Sequence, residues 1–517
     1  MNSNQANLAF EGEIQNTFKW LGGRVKDFCG YSTHMLTDRL MQRVVEMACW
    51  PYVNMVADRL NSGADGFPAD GTWVDCGSAR FELGSGRIDV TLVQQVRNHV
   101  DFLRHWGYCL TGIVTLAKSP PPELPAVLVF GVGDESLFQD GRDNRFVEYC
   151  RGGPIDPLRK GGRFLIQSAR SGAVSTDSRF SYSRFPIVDL LRTARLGFTA
   201  RLKMLFGHLA LLFAYACHAL RRPLLSLLAR DIAYSGICAE MERRGLIDSI
   251  VLTGSNYMRQ ELWVRAFPQP KVHMVWYSQS AKPFSYVADG IESDTPNLRW
   301  IRIGTLWLWT HALADYAKRL IPEAEIKVVG PILWYLPELK CPPKDRLCIA
   351  IFDVPALTDG IALSVGLFPN YFHAANLRAF VDDIVALKAE LEARFCLPVS
   401  FILKTKRQYH PTNDRLYFDY LEHLGMTGTI SLAHHETNMY ALVSGSHLVM
   451  VYPFSSPAYV ANYLKVPSIY YDPTGSIIRC DFGDPPSMIQ FANTREELRD
   501  LSIGALQLTT RQQTSSA

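Results

Sequence analysis

Two short polar segments in the last quarter of this 517-residue chain carry side chains that can bind phosphate. One is the loop from Lys404 to Pro411, which offers lysine, arginine and histidine. The other is Ser455-Ser456, which precedes Pro457 and stands where the cap of a helix belongs. Hydroxyl groups and free N–H groups at a helix start form a seat for a phosphate. An ordinary capped helix shows the same pattern, so this segment alone leaves both interpretations open.

The two segments together define a candidate phosphate-binding set. A lysine, an arginine, a histidine and two hydroxyl groups that converge on one crevice would neutralise a nucleotide phosphate and stabilise its departure. Both segments follow predicted strands, so we expect them at the same edge of a sheet. The set consists of Lys404, Arg407, His410, Pro411, Ser455 and Ser456.

Candidate acid and base groups lie in the first half of the chain. Asp134 and Glu135 follow a buried strand predicted over Ala126–Phe130. Carboxylates at the carboxyl end of such a strand are well placed to act as a general base or a nucleophile. A polar loop with solvated acids explains the same residues, because the sequence does not show whether burial tunes their pKa.

Further polar side chains could hold an anionic or glycan substrate. Arg142 and Arg145 lie in a segment rich in charge, glycine and aromatic residues, and a guanidinium group pairs bidentately with carboxylate or phosphate. Ser278 and Gln279 follow another predicted strand, at the end that lines a ligand crevice in an α/β sheet. Hydrogen-bonded turns have the same composition, so both interpretations of these polar strand ends stay open.

An alternation of strands and helices positions all these residues. One series occupies residues 121–336 and a second occupies residues 345–508, with the proline-rich linker Pro337–Asp345 between them. We therefore predict an α/β fold with two Rossmann-like domains that face a cleft. Residues 1–120 form an N-terminal region of unclear role, and residues 509–517 are predicted to be a disordered tail.

The N-terminal half also contains an extra helical segment near residues 190–230. Met204–Leu220 is apolar for 17 residues apart from two histidines, which is short of the ~20 residues that a spanning helix needs. Arginine and lysine residues flank it on both sides. Such a helix can lie on an anionic membrane surface, or it can be a core helix with solvated ends, and the sequence favours neither. A membrane span is the less favoured interpretation.

Composition excludes several classes of protein. The net charge of +3 gives no support for a nucleic-acid partner. The 11 cysteines form no Cys-x-x-Cys pair, so neither a zinc site nor a disulfide framework is indicated, and a reduced, cytoplasmic compartment fits best. Met1–Asn7 has no basic region followed by an apolar core, so we expect no secretory signal. His434-His435-Glu436 does not predict a metal site, because adjacent strand residues point to opposite faces.

His410-Pro411 and Ser455-Ser456 resemble the His-Pro and Ser/Thr pairs of GT-B glycosyltransferases that use CMP-activated sugars, namely bacterial sialyltransferases and Kdo transferases. A closer resemblance is to the bacterial polysaccharide biosynthesis PFTS-motif proteins, whose motif is matched by Pro453-Phe454-Ser455-Ser456 with serine in place of threonine. This second resemblance covers roughly residues 245–475. It takes in further segments: Trp276–Ser278, Val329–Pro331, Ile351–Pro355 and Ser468–Asp472.

The resemblance implies a GT-B-like cytoplasmic enzyme that builds cell-surface polysaccharide or lipopolysaccharide. Residues 121–336 would then be the acceptor domain and residues 345–508 the nucleotide-sugar domain, with His410, Ser455 and Ser456 on the CMP phosphate. The implied partners are a CMP-linked donor and a glycan or glycolipid acceptor, with peripheral contact at the inner membrane and with no metal or cofactor. The acidic-acidic-glycine base motif of the sialyltransferases has no copy here, because Ser136 follows Asp134-Glu135. The catalytic base and the stereochemical outcome therefore stay open.

Two alternatives remain at this stage. A transferase that uses a CDP-alcohol, such as a polyol-phosphate polymerase, could use the same His-Pro and Ser-Ser pairs, with Lys406 and Arg407 on a second phosphate. A non-catalytic GT-B scaffold could bind nucleotide or glycan in an assembly complex. The missing base motif favours the scaffold, and the phosphate-binding segments favour an enzyme.

Overall fold

The computed structural model of the protein describes most of the chain. The described residues are 3–61, 68–115, 125–139, 142–143, 145–160, 162–169, 175–194, 196–219, 221–254, 260–278, 296–358, 372–406, 409–453, 455–481 and 483–515.

The N-terminal region is a helical layer with a small antiparallel sheet. Its elements are α1 (Ser3–Leu21), α2 (Thr33–Asn61), β1 (Trp73–Asp75), β2 (Arg80–Glu82), β3 (Ile88–Asp89) and α3 (Leu92–Val114). Thr91 and Gln94 form a capping box that starts α3. This region is not a separate body, because α3 packs against helices of the following domain and shares a buried apolar core with them.

The first α/β domain is built on a seven-stranded parallel sheet. The strands between residues 126 and 328 are β4 (Ala126–Phe130), β5 (Phe138–Gln139), β6 (Arg142–Asp143), β7 (Arg163–Gln167), β8 (Phe180–Ser183), β9 (Ile247–Gly254), β10 (Val272–Trp276), β11 (Thr305–Leu308) and β12 (Glu325–Val328). The sheet order is β12-β11-β10-β9-β4-β7-β8, while β5 and β6 form a separate hairpin. The direction of winding reverses between β4 and β9, which is the arrangement of a Rossmann-like domain.

Helices cover both faces of this sheet. They are α4 (Asp134–Leu137), α5 (Phe146–Gly152), α6 (Asp156–Lys160), α7 (Pro186–Thr193), α8 (Phe198–Ala219), α9 (Ala229–Arg243), α10 (Leu262–Arg265) and α11 (His311–Leu320), with short 3₁₀ helices at Pro223–Leu228, Gln269–Lys271 and Pro296–Trp300. The predicted extra helical segment near residues 190–230 is confirmed as α7, α8 and the first 3₁₀ helix. α8 is the one described helix that is long and apolar enough to cross a membrane by length and composition.

The second α/β domain is built on a six-stranded parallel sheet. Its elements are β13 (Leu347–Phe352), α12 (Ala374–Ala386), α13 (Lys388–Phe395), β14 (Val399–Lys404), α14 (Arg415–Met426), β15 (Ser431–Ala433), α15 (Met439–Ser444), β16 (Leu448–Val451), α16 (Pro457–Tyr463), β17 (Ser468–Tyr471), β18 (Ile489–Ala492) and α17 (Arg495–Ser515). The sheet order is β15-β14-β13-β16-β17-β18. The winding reverses between β13 and β16, so a ligand crevice is expected at their carboxyl ends.

The two domains are joined through a continuous buried core. One apolar cluster contains Val129 and Trp307 of the first sheet together with Phe352 and Val451 of the second. Hydrogen bonds also cross the boundary: the Tyr440 hydroxyl donates to the carbonyl of Pro331 at 2.8 Å. The predicted fold class, an α/β protein with two Rossmann-like domains in a GT-B-like arrangement, is confirmed.

Two local predictions differ from the structure. The amphipathic pattern of residues 374–395 predicts one long helix, but the structure breaks it at Leu387, which ends α12 and precedes α13. The tail predicted to be disordered from residue 509 instead continues α17 as far as Ser515. Thr509 explains this difference, because its hydroxyl bonds the carbonyls of Ala505 and His447 and so ties the polar end of the helix to the domain.

Candidate active site

The two predicted phosphate-binding segments lie on either side of β13. β13 pairs with β14 on one side and with β16 on the other, all in parallel. The loop after β14 therefore starts at Lys404, and the loop after β16 leads to Ser456, at the same edge of the sheet. This edge is the point where the winding reverses, which is where open α/β sheets bind ligands.

A buried carboxylate occupies the centre of this edge. Asp353 directly follows β13 and is 3% exposed. One oxygen accepts from the backbone N–H of Lys406 at 3.0 Å, and the other accepts from the Tyr417 hydroxyl at 2.9 Å. Burial raises the pKa of Asp353 to about 7, against the opposing effect of these hydrogen bonds. The side chain thus fixes the first turn of the basic loop to the end of β13.

Lys404 is a buried cation whose pKa is affected by the charge of Asp353. It lies opposite Phe352 in the strand register and is buried. Burial lowers the pKa of Lys404 to about 8, and the charge of Asp353 offsets part of this effect. A buried amine with a lowered pKa is typical of functional sites, although structural ion pairs show the same shift.

His410 lies further along the same loop and is exposed. Its Nδ1 is 2.8 Å from the Thr412 hydroxyl, and its backbone N–H donates to Asn413 at 2.9 Å. These contacts fix the imidazole ring and leave Nε2 with no hydrogen bond from any described residue. Pro411 follows at the start of the turn that leads to α14. His410 and Pro411 thus lie after β14, the second strand of this domain.

The two serines differ in orientation. Ser456 is the N-cap residue of α16 and Pro457 is its first helical residue, as predicted. The Ser456 side chain makes no capping hydrogen bond and is partly exposed, so its hydroxyl can reach a ligand. Ser455 is buried, and its hydroxyl donates to the carbonyl of Tyr452 at 3.0 Å. The expectation that both hydroxyls face one spot is therefore wrong, because the Ser455 hydroxyl is turned back into its own loop.

On the first domain, Asp134 lies at the predicted place, just past the carboxyl end of β4. It is partly buried, and its Oδ1 accepts from the Ser168 hydroxyl at 2.7 Å. Ser168 follows β7, the neighbouring strand, so the two loops at this edge support each other. No described residue hydrogen-bonds Oδ2 of Asp134. One carboxylate oxygen is thus oriented and the other is available to a substrate.

The predicted substrate-binding residue Arg145 lies against the connection between the domains. Its guanidinium is 5.3 Å from the centre of the Tyr335 ring. The neighbouring Trp334 is buried and packs against Tyr277, which precedes Ser278 at the carboxyl end of β10. Arg145 thus contacts Tyr335, and the residue before Ser278 contacts the adjacent Trp334. The Tyr335 hydroxyl also accepts from the backbone N–H of Met439.

Some candidate residues lie outside the described part of the chain. Arg407 and Gln279 belong to segments that the structure does not describe. For Glu135 and Arg142 the structure describes the backbone, in α4 and β6, but not the side chain. The proposed roles of these four residues stay predictions.

Three residues at the second domain's edge were not assigned to the phosphate-binding set from the sequence. Asp353 and Tyr417 form the buried pair described above. Burial lowers the pKa of His435, and the nearby positive charge of Lys404 lowers the pKa of His435 further. The signal for Asp353 was present, because it follows a buried strand as Asp134 does. No such signal marked Tyr417, which reaches the site from the middle of a helix.

Metal ligands do not cluster in the part of the chain that the structure describes. His434 and His435 lie in a turn after β15 rather than on the strand, with ring centres 4.2 Å apart. Their rings thus share one side, whereas alternation along a strand would have separated them.

The similarity of this chain to individual known proteins is low. No curated protein matches the sequence. Solved structures that align with this chain include the wall teichoic acid polymerase TagF (10% identity, 82% of this chain and 92% of that chain, TM-score 0.36). Others are the UDP-GlcNAc 2-epimerase of Methanocaldococcus jannaschii (13%, 74% and 93%, TM-score 0.34) and MurG of Acinetobacter baumannii (10%, 75% and 92%, TM-score 0.36). Likeness at this level says nothing about the substrate of this chain.

The family comparison is specific. The model described as "Polysaccharide biosynthesis PFTS motif protein" matches residues 203–501. This match covers more than half of the chain and includes the whole second domain up to α17, with the Pro453–Ser456 motif at the edge described above. The chain belongs to the family of polysaccharide biosynthesis PFTS motif proteins.

Proposed function

We propose that the protein is a glycosyltransferase of cell-surface polysaccharide or lipopolysaccharide biosynthesis. It transfers a sugar of the Kdo or sialic acid type from a CMP-activated donor to a glycan acceptor. The observation that carries this proposal is the placement of Lys404, His410 and Ser456 on loops at both sides of β13, at the point where the winding of the second sheet reverses.

The donor phosphate would lie between these two loops. The ammonium of Lys404 and the imidazole Nε2 of His410 approach from the β14 side, and the Ser456 hydroxyl approaches from the β16 side. Together they hold the negative charge that develops on CMP as the bond to the sugar breaks. Since fixed cations and hydrogen-bond donors supply this stabilisation, the step as proposed uses no metal ion.

The acceptor hydroxyl would lose its proton to a carboxylate of the first domain. Asp134 is our candidate base, because Ser168 orients one of its oxygens and the other faces no described partner. Glu135 is the second candidate. Arg145 and Ser278 would position the acceptor, with Arg142 and Gln279 as further candidates from the same loops.

A second donor class is favoured by one observation. The backbone of Lys406 is held by Asp353, and its side chain is exposed two positions after Lys404, so this part of the chain carries a second lysine besides the one assigned to the first phosphate. A CDP-alcohol would use this charge for its second phosphate. The protein would then be a polyol-phosphate transferase.

Isothermal titration with CMP, CDP, UMP and GDP tests the proposal directly. We expect the tightest binding for CMP, and we expect His410→Ala to weaken it by roughly tenfold to a hundredfold, since hydrogen bonds to charged groups contribute about 1.5–3 kcal/mol. His423→Ala, an exposed histidine on α14, is the matched control and should bind like the wild type. CMP-Kdo and CMP-sialic acid are then tested as donors.

Other outcomes separate the alternatives. A preference for CDP over CMP would replace the CMP-sugar donor with a CDP-alcohol. Binding of UMP or GDP that His410→Ala leaves unchanged would contradict the proposed donor site. If Ser456→Ala supports polysaccharide assembly in cells as the wild type does, while no donor is turned over in vitro, the protein is a scaffold and not an enzyme. Localisation on the cytoplasmic face of the inner membrane is part of the proposal, since the sugar nucleotides used here are cytoplasmic substrates.

A further inference from the structure

Helix α8 exposes an apolar face that the protein does not cover. One side of the helix is buried in the protein through Met204, His208, Leu211, Tyr215 and Ala219. The opposite side exposes large apolar residues at helical spacing: Phe198, Leu202, Phe206, Leu209 and Phe213. Phe206 and Phe213 are 62% and 75% exposed. A helix with one side fixed in the protein core is attached along its length to the protein surface and is not free to span a bilayer.

Helix α3 widens this apolar face. It lies antiparallel to α8: the Arg201 guanidinium donates to the carbonyl of Ile113, Trp106 stacks on His208 at 4.8 Å, and Phe102 stacks on Tyr215 at 3.7 Å. α3 also exposes a stripe at helical spacing: Leu92, Val96, Val100, Leu103 and Val114. The two stripes together present ten large exposed apolar residues on neighbouring helices, and a patch of this kind marks an interaction surface.

A basic pocket lies at the C-terminal end of α8. It has a volume of about 190 Å³, and five apolar residues and four cationic residues line it. The cationic residues come from two separate segments: Arg24, Lys26, Arg221 and Arg222. The two segments meet through Phe28 and His218, whose ring centres are 5.1 Å apart. His218 is in the last turn of α8, so the pocket adjoins the apolar face.

The charges of this face are complementary to an anionic surface. α8 contains Arg201, Lys203 and no acidic residue. The single acidic residue of α3, Asp101, is paired with Arg104. Apolar side chains bounded by an excess of cations favour an anionic lipid bilayer over a second copy of this chain, because two copies would place the same positive charges together.

We propose that α3, α8 and the basic pocket form a docking face for an anionic membrane, with a lipid phosphate group in the pocket of Arg24, Lys26, Arg221 and Arg222. The exposed phenylalanine and leucine side chains enter the interface between headgroups and acyl chains. Docking holds the first domain next to an acceptor carried by lipid. Only that last point rests on the proposed function, since membrane binding itself does not depend on which sugar is transferred.

Co-flotation of the full-length protein with vesicles tests the docking face. We expect binding to phosphatidylcholine vesicles that contain 30% phosphatidylglycerol, and at least tenfold weaker binding to pure phosphatidylcholine. Arg221→Gln/Arg222→Gln should lower the partition constant roughly thirtyfold, since each basic residue near an anionic surface contributes about a factor of five. Phe206→Ser/Phe213→Ser should lower it by a similar amount on vesicles of both compositions.

Matched controls come from exposed residues elsewhere. Leu416→Ser/Met426→Ser removes two exposed apolar side chains of α14, and Arg394→Gln/Arg415→Gln removes two exposed cations of the second domain. Both control proteins should float like the wild type. Equal losses in control and test variants would overturn the proposal, as would a wild type that fails to float with either vesicle.

Two further outcomes would also overturn it. Concentration-dependent dimerisation that Phe206→Ser/Phe213→Ser abolishes, seen by sedimentation velocity, would mean that a second copy covers the face. Protein that stays in membranes after washing with high salt and carbonate would mean a spanning helix. The docking variants should keep wild-type turnover on a water-soluble acceptor. Loss of flotation with full turnover therefore separates the membrane face from the proposed transferase activity.

Discussion

Replacing Asp353 by asparagine should make the protein more stable at neutral pH. The carboxyl is buried and its pKa is raised to about 7, whereas an aspartate in the unfolded chain titrates near 3.9. Between these two pH values the folded state holds a proton that the unfolded state has released. Stability therefore falls as pH rises through this window. Asparagine cannot ionise, so the variant does not lose stability in this way.

The size of the effect follows from the two pKa values. For a carboxyl with pKa about 7 when folded and 3.9 when unfolded, the wild type loses about 2.5 kcal/mol of stability between pH 5 and pH 7.5. The pKa of Lys404 is lowered to about 8, so its charge changes mainly above this range in the wild type. Below the unfolded pKa of about 3.9 asparagine replaces an acid that is protonated in both states and has a similar shape, and we expect a difference within about 1 kcal/mol there.

Urea unfolding at pH 5 and pH 7.5 measures this difference. All ten tryptophans precede residue 335, so tryptophan fluorescence reports on the N-terminal region and the first domain. Circular dichroism, with hydrogen exchange of peptides from β13 and β14, follows the second domain. The stability of Asp353→Asn relative to wild type should rise by about 2.5 kcal/mol between the two pH values.

A matched variant sharpens the test. Tyr417→Phe removes one hydrogen bond and keeps the carboxylate, so it should lose about 1.5 kcal/mol at pH 5. Because that hydrogen bond opposes the raised pKa of Asp353, the stability of this variant should fall between pH 5 and pH 7.5 at least as much as that of the wild type. If Asp353→Asn shows the same pH slope as wild type, Asp353 is ionised throughout this range and the reasoning from its burial is refuted. A carboxylate that lowers stability at neutral pH is consistent with a role in holding the basic loop, since functional sites commonly cost stability.

Three further changes test separate parts of the structure. Ser456→Ala should weaken CMP binding by roughly tenfold or more in calorimetry, whereas Ser455→Ala should cost about 1 kcal/mol of stability and leave CMP affinity nearly unchanged; the opposite ranking would contradict the assigned orientations. Thr412→Val releases the ring of His410 and should weaken CMP binding several-fold, by less than His410→Ala does, in the same titration. Gly131→Ala should destabilise the first domain by about 2 kcal/mol or more in tryptophan-detected unfolding, because φ is +84° and a Cβ would lie 2.4 Å from the carbonyl oxygen of Thr253.

The parts of the fold that could be predicted are those with a strong local signal. β13 and β16 are apolar runs of four to six residues with turn residues around them, and this pattern predicts strands at Leu347–Phe352 and Leu448–Val451, the bounds that the structure shows. The sequence also predicts a helix from Thr310 to Leu320, and the Thr310 hydroxyl accepts from the Leu313 N–H as a cap does. Each of these features depends on neighbours within a few positions.

Features that depend on distant residues were missed. The hydroxyl of Ser455 could cap a helix or bond a carbonyl, and the choice is set by the loop from Tyr452, which the core holds in place. Leu387 sits in a sequence without glycine or proline, so nothing local predicts the break between α12 and α13. The second apolar stripe on α3 was not recognised because its meaning depends on α8, about 100 positions away.

Asp353 shows how one buried group can hold a candidate binding loop in place. Its carboxylate binds the backbone of the basic loop through the N–H of Lys406, a residue whose side chain is exposed. Tyr417 orients the same carboxylate from α14, the helix that follows that loop. The start of the loop and the helix after it are thus attached to one buried group at the end of β13. Since His410 lies between these two attachments, its position depends on a residue 57 positions earlier, which explains why the His-Pro pair alone was a weak signal.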